Sequence, residues 1–199
     1  LNYLKKLNVN VHLNTMVQGY DGRMVTLKDQ DSIPSQNLIW AAGIKSNVLN
    51  GLEKKHMNGL GRLIVDEYNL VKGLKNVYAV GDCCIMETSQ FPKGHPQVAQ
   101  VAIQQSKNLA SNLRRMQKAK SLQPFQYTDK GSLATVGRQL AVGDLPFVRL
   151  KGVMAWMLWL FVHLMAILGV KNRLFIFVNW MWSYFTYDQS LRLIIKAEK

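Results

Sequence analysis

The sequence is poor in cysteine and in acidic residues, and each shortage excludes something. Its two cysteines, Cys83 and Cys84, are adjacent. Neighbouring cysteines form no ordinary disulfide and match no zinc-ligand spacing, so a disulfide framework and a metal site are both excluded. A reduced compartment is expected, with the pair packed as small buried residues behind a strand end rather than acting as a redox couple. Asp and Glu number 12 against 25 Lys and Arg, a formal charge of +13. That excess favours an anionic partner, either nucleic acid or the face of an anionic bilayer. There is no internal repeat and no low-complexity tract. A charged n-region followed by an apolar h-region and a cleavage site is also missing near the start, and the chain begins at Leu1, so it reads as a fragment without a targeting signal.

Distribution separates the two anionic partners where composition does not. The last third combines Lys151, Lys171, Arg173, Arg192 and Lys196 with dense Trp, Phe, Leu and Met. That pattern points to a membrane surface and away from nucleic acid.

Residues 1–60 show short alternating segments at Asn8 to His12, Arg23 to Leu27 and Asn37 to Trp40, separated by Gly19, Asp21-Gly22 and Pro34. They predict strands, with a hairpin at Asp21-Gly22. The polar, Gly-containing stretch from Asn47 to Leu60 reads as a crossing between domains. Leu63-Ile64-Val65 and Val77-Tyr78-Ala79-Val80 are compact apolar runs, as expected of strands in a mostly parallel sheet. From Pro96 to Ala119 no Gly or Pro intervenes, and Val98, Val101, Ala102, Leu109, Leu113 and Met116 recur at helical spacing. This predicts an amphipathic helix with Pro96 in its first position and Arg114, Arg115 and Lys118 at the negative end of its dipole. Ser132 to Val142 reads as a strand pair. An apolar run from Val153 to Val170, broken only by His163 and Gly169, and a second apolar, aromatic segment from Leu174 to Tyr187 close the chain.

The most specific local feature is Val77-Tyr78-Ala79-Val80-Gly81-Asp82, a strand ending in Gly then Asp. Gly81 would let a ligand approach the backbone at the carboxyl end of the strand, and Asp82 could accept hydrogen bonds from sugar-like hydroxyls. A tight turn with a solvated Asp is the plainer alternative. In the helix that follows, Gln97, Gln100 and Gln104 fall within about a 60° wedge at 100° per residue. Such a stripe of uncharged amides can hydrogen-bond carbonyls; a solvated polar face is the alternative.

The hexapeptide resembles the second FAD fingerprint of the two-dinucleotide-binding-domain flavoproteins, and Gly61-Arg62-Leu63-Ile64-Val65-Asp66 with Gly73-Leu74-Lys75-Asn76 fits its lead-in. Leu38-Ile39-Trp40-Ala41-Ala42-Gly43 resembles the turn where the NADH domain of those proteins returns to the flavin domain. Ala99-Gln100-Val101-Ala102-Ile103-Gln104-Gln105 is similar to the quinone-site motif of the type II NADH:quinone oxidoreductases, AQxAxQQ. The C-terminal quotations are Val162-His163 through Gly169, Lys171-Asn172-Arg173-Leu174, Asn179-Trp180 and Trp182-Ser183-Tyr184-Phe185. They resemble the segment through which these enzymes attach to one leaflet.

The resemblance implies an α/β fold: part of a Rossmann-like, two-dinucleotide-binding-domain flavoprotein followed by a helical membrane-anchoring region. The expected boundaries are 1–60 for the rear of the NADH-binding domain, 61–130 for the end of the FAD-binding domain and 131–199 for the anchor. The implied cofactors are FAD and NADH. The implied partners are quinone and an anionic membrane surface held monotopically on the cytoplasmic face of a bacterial inner membrane, and a homodimer is among the assemblies allowed. FAD-binding roles are carried to Gly81, Asp82, Ala99, Gln100, Ala42 and Gly43, and quinone contacts to Gln100, Gln104, Gln105 and Lys171. Gln105 lies 100° from Gln104, toward the apolar face, and could instead tether the helix to its neighbour. His163 reads as a satisfied structural residue, and Lys171 as either a flavin or quinone neighbour or a cation at a bilayer surface. An in-plane anchor is preferred to a span because His163 would be costly in hydrocarbon and the second segment is short. Sulfide:quinone oxidoreductase and a non-catalytic membrane-anchored module are the rival readings.

Overall fold

The computed structural model describes residues 1–47, 50–137, 139–167 and 169–186. They fall into two compact units, Leu1–Ser46 and Asn47–Lys199. In the first, a short helix α1 (Asn2–Lys6) precedes a three-stranded antiparallel sheet of β1 (Val17–Tyr20), β2 (Met24–Leu27) and β3 (Ile33–Pro34), in that order. The hairpin forms where Asp21-Gly22 predicted it. One Asp21 carboxylate oxygen accepts from the Arg23 and Met24 amides, both at 2.7 Å, and Gly22 takes φ +99°. These bonds hold the Asp21 carboxyl below its usual 3.8, the Met24 amide first.

Two expected strands in this unit do not form. The chain leaves α1 through a turn at Leu7 and Asn8, with Asn8 at φ +57°, and Val9 to His12 form no strand. Asn37 to Trp40 alternates as a strand would but has no ladder partner among the described residues, and Ile39 is 92% exposed. Alternation records which residues could face a sheet; only a neighbouring strand can satisfy the backbone.

In the second unit β4 (Leu63–Ile64) pairs in parallel with β5 (Cys84–Ile85). Leu63, Val65, Val71, Ala79, Cys84, Met86 and Phe125 form the core there. Between the strands the chain doubles back. Asp66 Oδ1 accepts from the Tyr68 and Leu70 amides, and Asn69, at φ +66°, donates its side-chain N–H to the Ala79 carbonyl at 2.9 Å. Val77 to Val80 is therefore not a strand of a parallel sheet: it makes one antiparallel bridge, Leu70 to Tyr78, and a backbone bond from Ala79 to Asn69.

Helix α2 spans Ala99–Gln117. It starts three residues after Pro96, so Pro96 ends the approach loop and Val98 is the N-cap. Its buried residues are Val101, Gln105 and Asn112, whereas Val98, Leu113 and Met116 are exposed. The face that binds the rest of the protein is thus largely amide rather than aliphatic.

The chain ends in an antiparallel sheet of β6 (Ser132–Thr135), β7 (Ala141–Asp144) and β8 (Arg149–Gly152), covered by α3 (Val153–Ala166), which is joined to α4 (Val170–Thr186). Strand β8 has no counterpart in the sequence reading. The apolar run from Val153 to Val170 is not one helix. It breaks after Ala166, and the Arg173 guanidinium donates to the Ile167 and Met165 carbonyls at 2.7 and 3.1 Å, placing a cation on the negative end of α3. At 14 residues α3 is about 21 Å long, short of the roughly 30 Å hydrocarbon core. Among the described residues no helix is long and apolar enough to cross a membrane.

Candidate functional site

The turn after Val80 and helix α2 meet through one buried amide. Gly81 stands at φ +72° at the head of a 3₁₀ turn, Gly81–Cys83, and its N–H donates to Gln105 Oε1 at 2.7 Å. Gln105 is 2% exposed, and the same oxygen lies 3.8 Å from the Cys84 thiol. Gln105 is therefore a tether, the second of its two sequence readings. A side chain at Gly81 would press on Ala102 Cβ at 3.0 Å, so glycine serves the close approach of the helix as well as the left-handed backbone. Arg62, also buried, donates from Nε to the Cys84 carbonyl at 2.8 Å.

Asp82 is exposed at the turn, its carbonyl accepting from Gln97 Nε2 at 3.3 Å. No side chain caps α2, and among the described residues the Ala99 and Gln100 amides meet no acceptor. Uncapped N–H groups and an exposed carboxylate thus lie beside one turn. Of the adjacent cysteines only Cys84 is buried; Cys83 is exposed, against the expectation for the pair. Burial pushes the Cys84 thiol up to about 12.

The glutamine stripe does something the sequence did not disclose. Gln104 donates to the Thr128 carbonyl at 2.9 Å and accepts from the Thr128 amide at 3.0 Å. Gln100 donates to the Gly131 carbonyl at 3.1 Å and to Asp129 Oδ1 at 3.4 Å, and accepts from the Lys130 amide at 3.1 Å. Farther along, Asn112 donates to the Gln123 carbonyl at 2.8 Å and accepts from its amide at 2.9 Å, with Asn108 also reaching that carbonyl. Residues 100, 104, 108 and 112 follow one another at four-residue spacing, about 40° of drift per step. The result is a ladder of side-chain amides that holds the returning segment against the helix as a strand partner would.

The remaining residues expected at the site are described each in its own unit. Ala42 and Gly43 are exposed in the first unit, with open space around Gly43. Lys171 is exposed in the first turn of α4. His163 bonds through Nδ1 to the Trp159 carbonyl of its own helix at 2.7 Å and stacks on the Trp159 ring, a satisfied structural histidine. Sequence reasoning missed Arg62, Asn108, Asn112 and Asp129. Asn108 and Asn112 could have been found by continuing the glutamine spacing.

Comparison with known proteins assigns the family. The model described as pyridine nucleotide-disulphide oxidoreductase matches residues 1–106, and that of the NDH2 C-terminal domain matches residues 130–186. The chain belongs to the pyridine nucleotide-disulphide oxidoreductases, on their type II NADH dehydrogenase branch. Among the type II relatives, NdhA of Mycobacterium tuberculosis, a type II NADH:quinone oxidoreductase, is 34% identical over 194 residues, covering 91% of this chain and 40% of the relative. An internal alternative NAD(P)H-ubiquinone oxidoreductase of potato mitochondria is 30% identical over 198 residues, covering 90% and 39%. The chain thus spans about two fifths of the curated relatives it matches. The NDH2 of Plasmodium falciparum, solved in complex with NADH, superposes with a TM-score of 0.83 at 21% identity, over 96% of this chain and 55% of that one. The type II NADH dehydrogenase fold, an α/β dinucleotide-binding fold, is therefore that of this chain. The sulfide:quinone oxidoreductase of Aquifex aeolicus shares the fold more distantly, with a TM-score of 0.59 at 16% identity.

Proposed function

We propose that this chain carries the flavin and quinone sides of an enzyme that passes electrons from NADH through FAD to membrane quinone without pumping ions. The observation behind it is the exposed Asp82 beside the uncapped start of α2, at a turn that Gln105 fixes from behind. These residues fit FAD. Asp82 would accept from the ribityl hydroxyls, and the Ala99 and Gln100 amides with the helix dipole would favour negative charge at the pyrimidine end, by about 0.3–1 kcal/mol. When bound, FAD would supply the two-electron chemistry, accepting hydride from NADH and reducing quinone. Ala42 and Gly43, small and unhindered, are assigned to the nicotinamide side.

Within this proposal, the ladder supports giving the quinone to Gln104. Gln100 has committed both of its N–H donors, to Gly131 and Asp129, whereas Gln104 uses one on Thr128 and keeps one. Gln104 is therefore the amide able to donate to a quinone carbonyl, with Gln100 holding the wall beside it and Gln105 holding the turn. Lys171 is assigned to the quinone head group or the adjoining lipid surface. The exposed apolar residues of α3 and α4, among them Met157, Phe161, Phe175 and Trp182, support attachment to one membrane leaflet; we assign that leaflet to the cytoplasmic face of a bacterial inner membrane. A homodimer is compatible with that placement.

The test is optical. Bound flavin should bleach on adding NADH and recover on adding quinone. Protein that has no flavin when isolated in full length, or a flavin that NADH leaves oxidised, would overturn the proposal.

A further inference from the structure

The turn between β7 and β8 is a second apolar feature, separate from the helix pair. Leu145 and Val148 exchange backbone hydrogen bonds at 3.0 and 3.3 Å, closing a two-residue loop of Pro146 and Phe147. Proline presets its own φ, and the Asp144–Arg149 pair below it is joined both in register and by a 3.1 Å ion pair, so the tip is stiff. Phe147 is 100% exposed and Val148 is half exposed. A whole phenyl ring carried on a rigid turn with no protein contact is costly to leave in water.

Beside the tip, Lys130 and Lys151 are exposed cations, while the Arg149 charge is balanced by Asp144. The tip also lies beside the quinone-side helix. Gly131, whose carbonyl accepts from Gln100, packs so closely on the backbone of Asp144 and Leu145 that no Cβ would fit there. Two apolar side chains and a proline offer far less than the roughly 1,200 Å² of a stable protein interface. A lipid surface needs no matching shape, and the flanking cations suit its phosphates.

We propose that the β7–β8 turn is a lipid-inserting tip that places Phe147 in the interfacial region of an anionic bilayer, beside the helix that bears Gln100 and Gln104. This rests on the membrane-surface reading above, and it adds a contact outside the α3–α4 pair. A quinone leaving the bilayer there would pass from lipid to the amide wall without crossing open water.

The experiment places an environment-sensitive NBD dye at the tip, in a Phe147→Cys, Cys83→Ser protein; Cys84 is buried and stays unlabelled. Vesicles of phosphatidylglycerol and phosphatidylcholine are then added. The expected result is a blue-shifted emission, quenched by doxyl-labelled lipid, and a Phe147→Ser protein whose partitioning onto these vesicles falls about tenfold. Protein that co-sediments with vesicles while the dye stays water-exposed would overturn the tip but leave the membrane reading standing. Failure to bind vesicles at all would overturn both. A blue shift without vesicles that grows with protein concentration would make the tip a contact between copies and refute lipid insertion.

Discussion

Gln104 pairs with both backbone groups of one residue, donating to the Thr128 carbonyl and accepting from the Thr128 amide. The same pairing recurs between Asn112 and Gln123. Two amides, two turns of helix apart, thus grip the same stretch of chain, one through solvent-exposed hydrogen bonds and one almost fully buried.

That difference in burial sets the first prediction. Asn112→Ala strands the Gln123 amide, whose carbonyl keeps its bond from Asn108, and should cost about 1–3 kcal/mol, whereas Gln104→Ala, at the exposed rung, should cost about 1 kcal/mol or less. Urea titration of the two variants checks the order. Equal losses would mean that the ladder is not graded by burial.

The cysteines should behave differently from one another. In native protein Cys83 should react with a thiol reagent, while Cys84, buried and held up at about 12, should react only after denaturation. Cys83→Ser should leave quinone reduction within about twofold, because the proposed chemistry needs no disulfide. Loss of turnover together with loss of a cysteine-to-flavin signal would favour the sulfide-oxidising reading.

His95 supplies a pH dependence. His95 is 5% exposed, its ring set among Phe91, Phe125 and Tyr127; neither nitrogen meets a partner among the described residues, and burial pushes it below its usual 6.5. The folded state then binds fewer protons than the unfolded one near that value. Stability from this group is complete above pH 6.5 and is lost as pH falls from 6.5 toward the depressed folded value. His95→Leu should flatten the fall in melting temperature between pH 7 and pH 5; an unchanged slope would exclude His95 as its source.

No Gly-x-Gly-x-x-Gly turn occurs in these 199 residues, so they offer no pyrophosphate cradle of that type. Purified alone, they should retain little FAD. Stoichiometric flavin by absorbance would contradict this.

The legible parts of the fold were those that local chemistry decides. Asp21-Gly22 turned where it should, α2 ran through a long stretch free of Gly and Pro, and Asp82 ended up exposed beside its start. The illegible parts depended on a partner elsewhere in the chain. Asn37 to Trp40 had the alternation of a strand but no neighbour, and Val77 to Val80 was captured by the Asn69 turn. The apolar run from Val153 was cut after Ala166, with Arg173, a residue beyond its end, capping the first helix. For the site, Gln105 was legible because its angle differed from that of Gln104. The targets of Gln100 and Gln104 were not, because an amide that binds backbone leaves no mark on the sequence it binds.

The ladder also bears on how such proteins tolerate change. Asn108, Asn112, Gln123 and Thr128 all lie in the interval between residues 106 and 130 that neither family model covers. Since the amides grip peptide groups common to every residue but proline, the connector's side chains are free to drift while its path stays fixed. A hybrid that grafts a relative's C-terminal domain onto this helix should therefore keep its alignment as long as the loop length is preserved, and lose it on a one-residue deletion between Gln123 and Thr128.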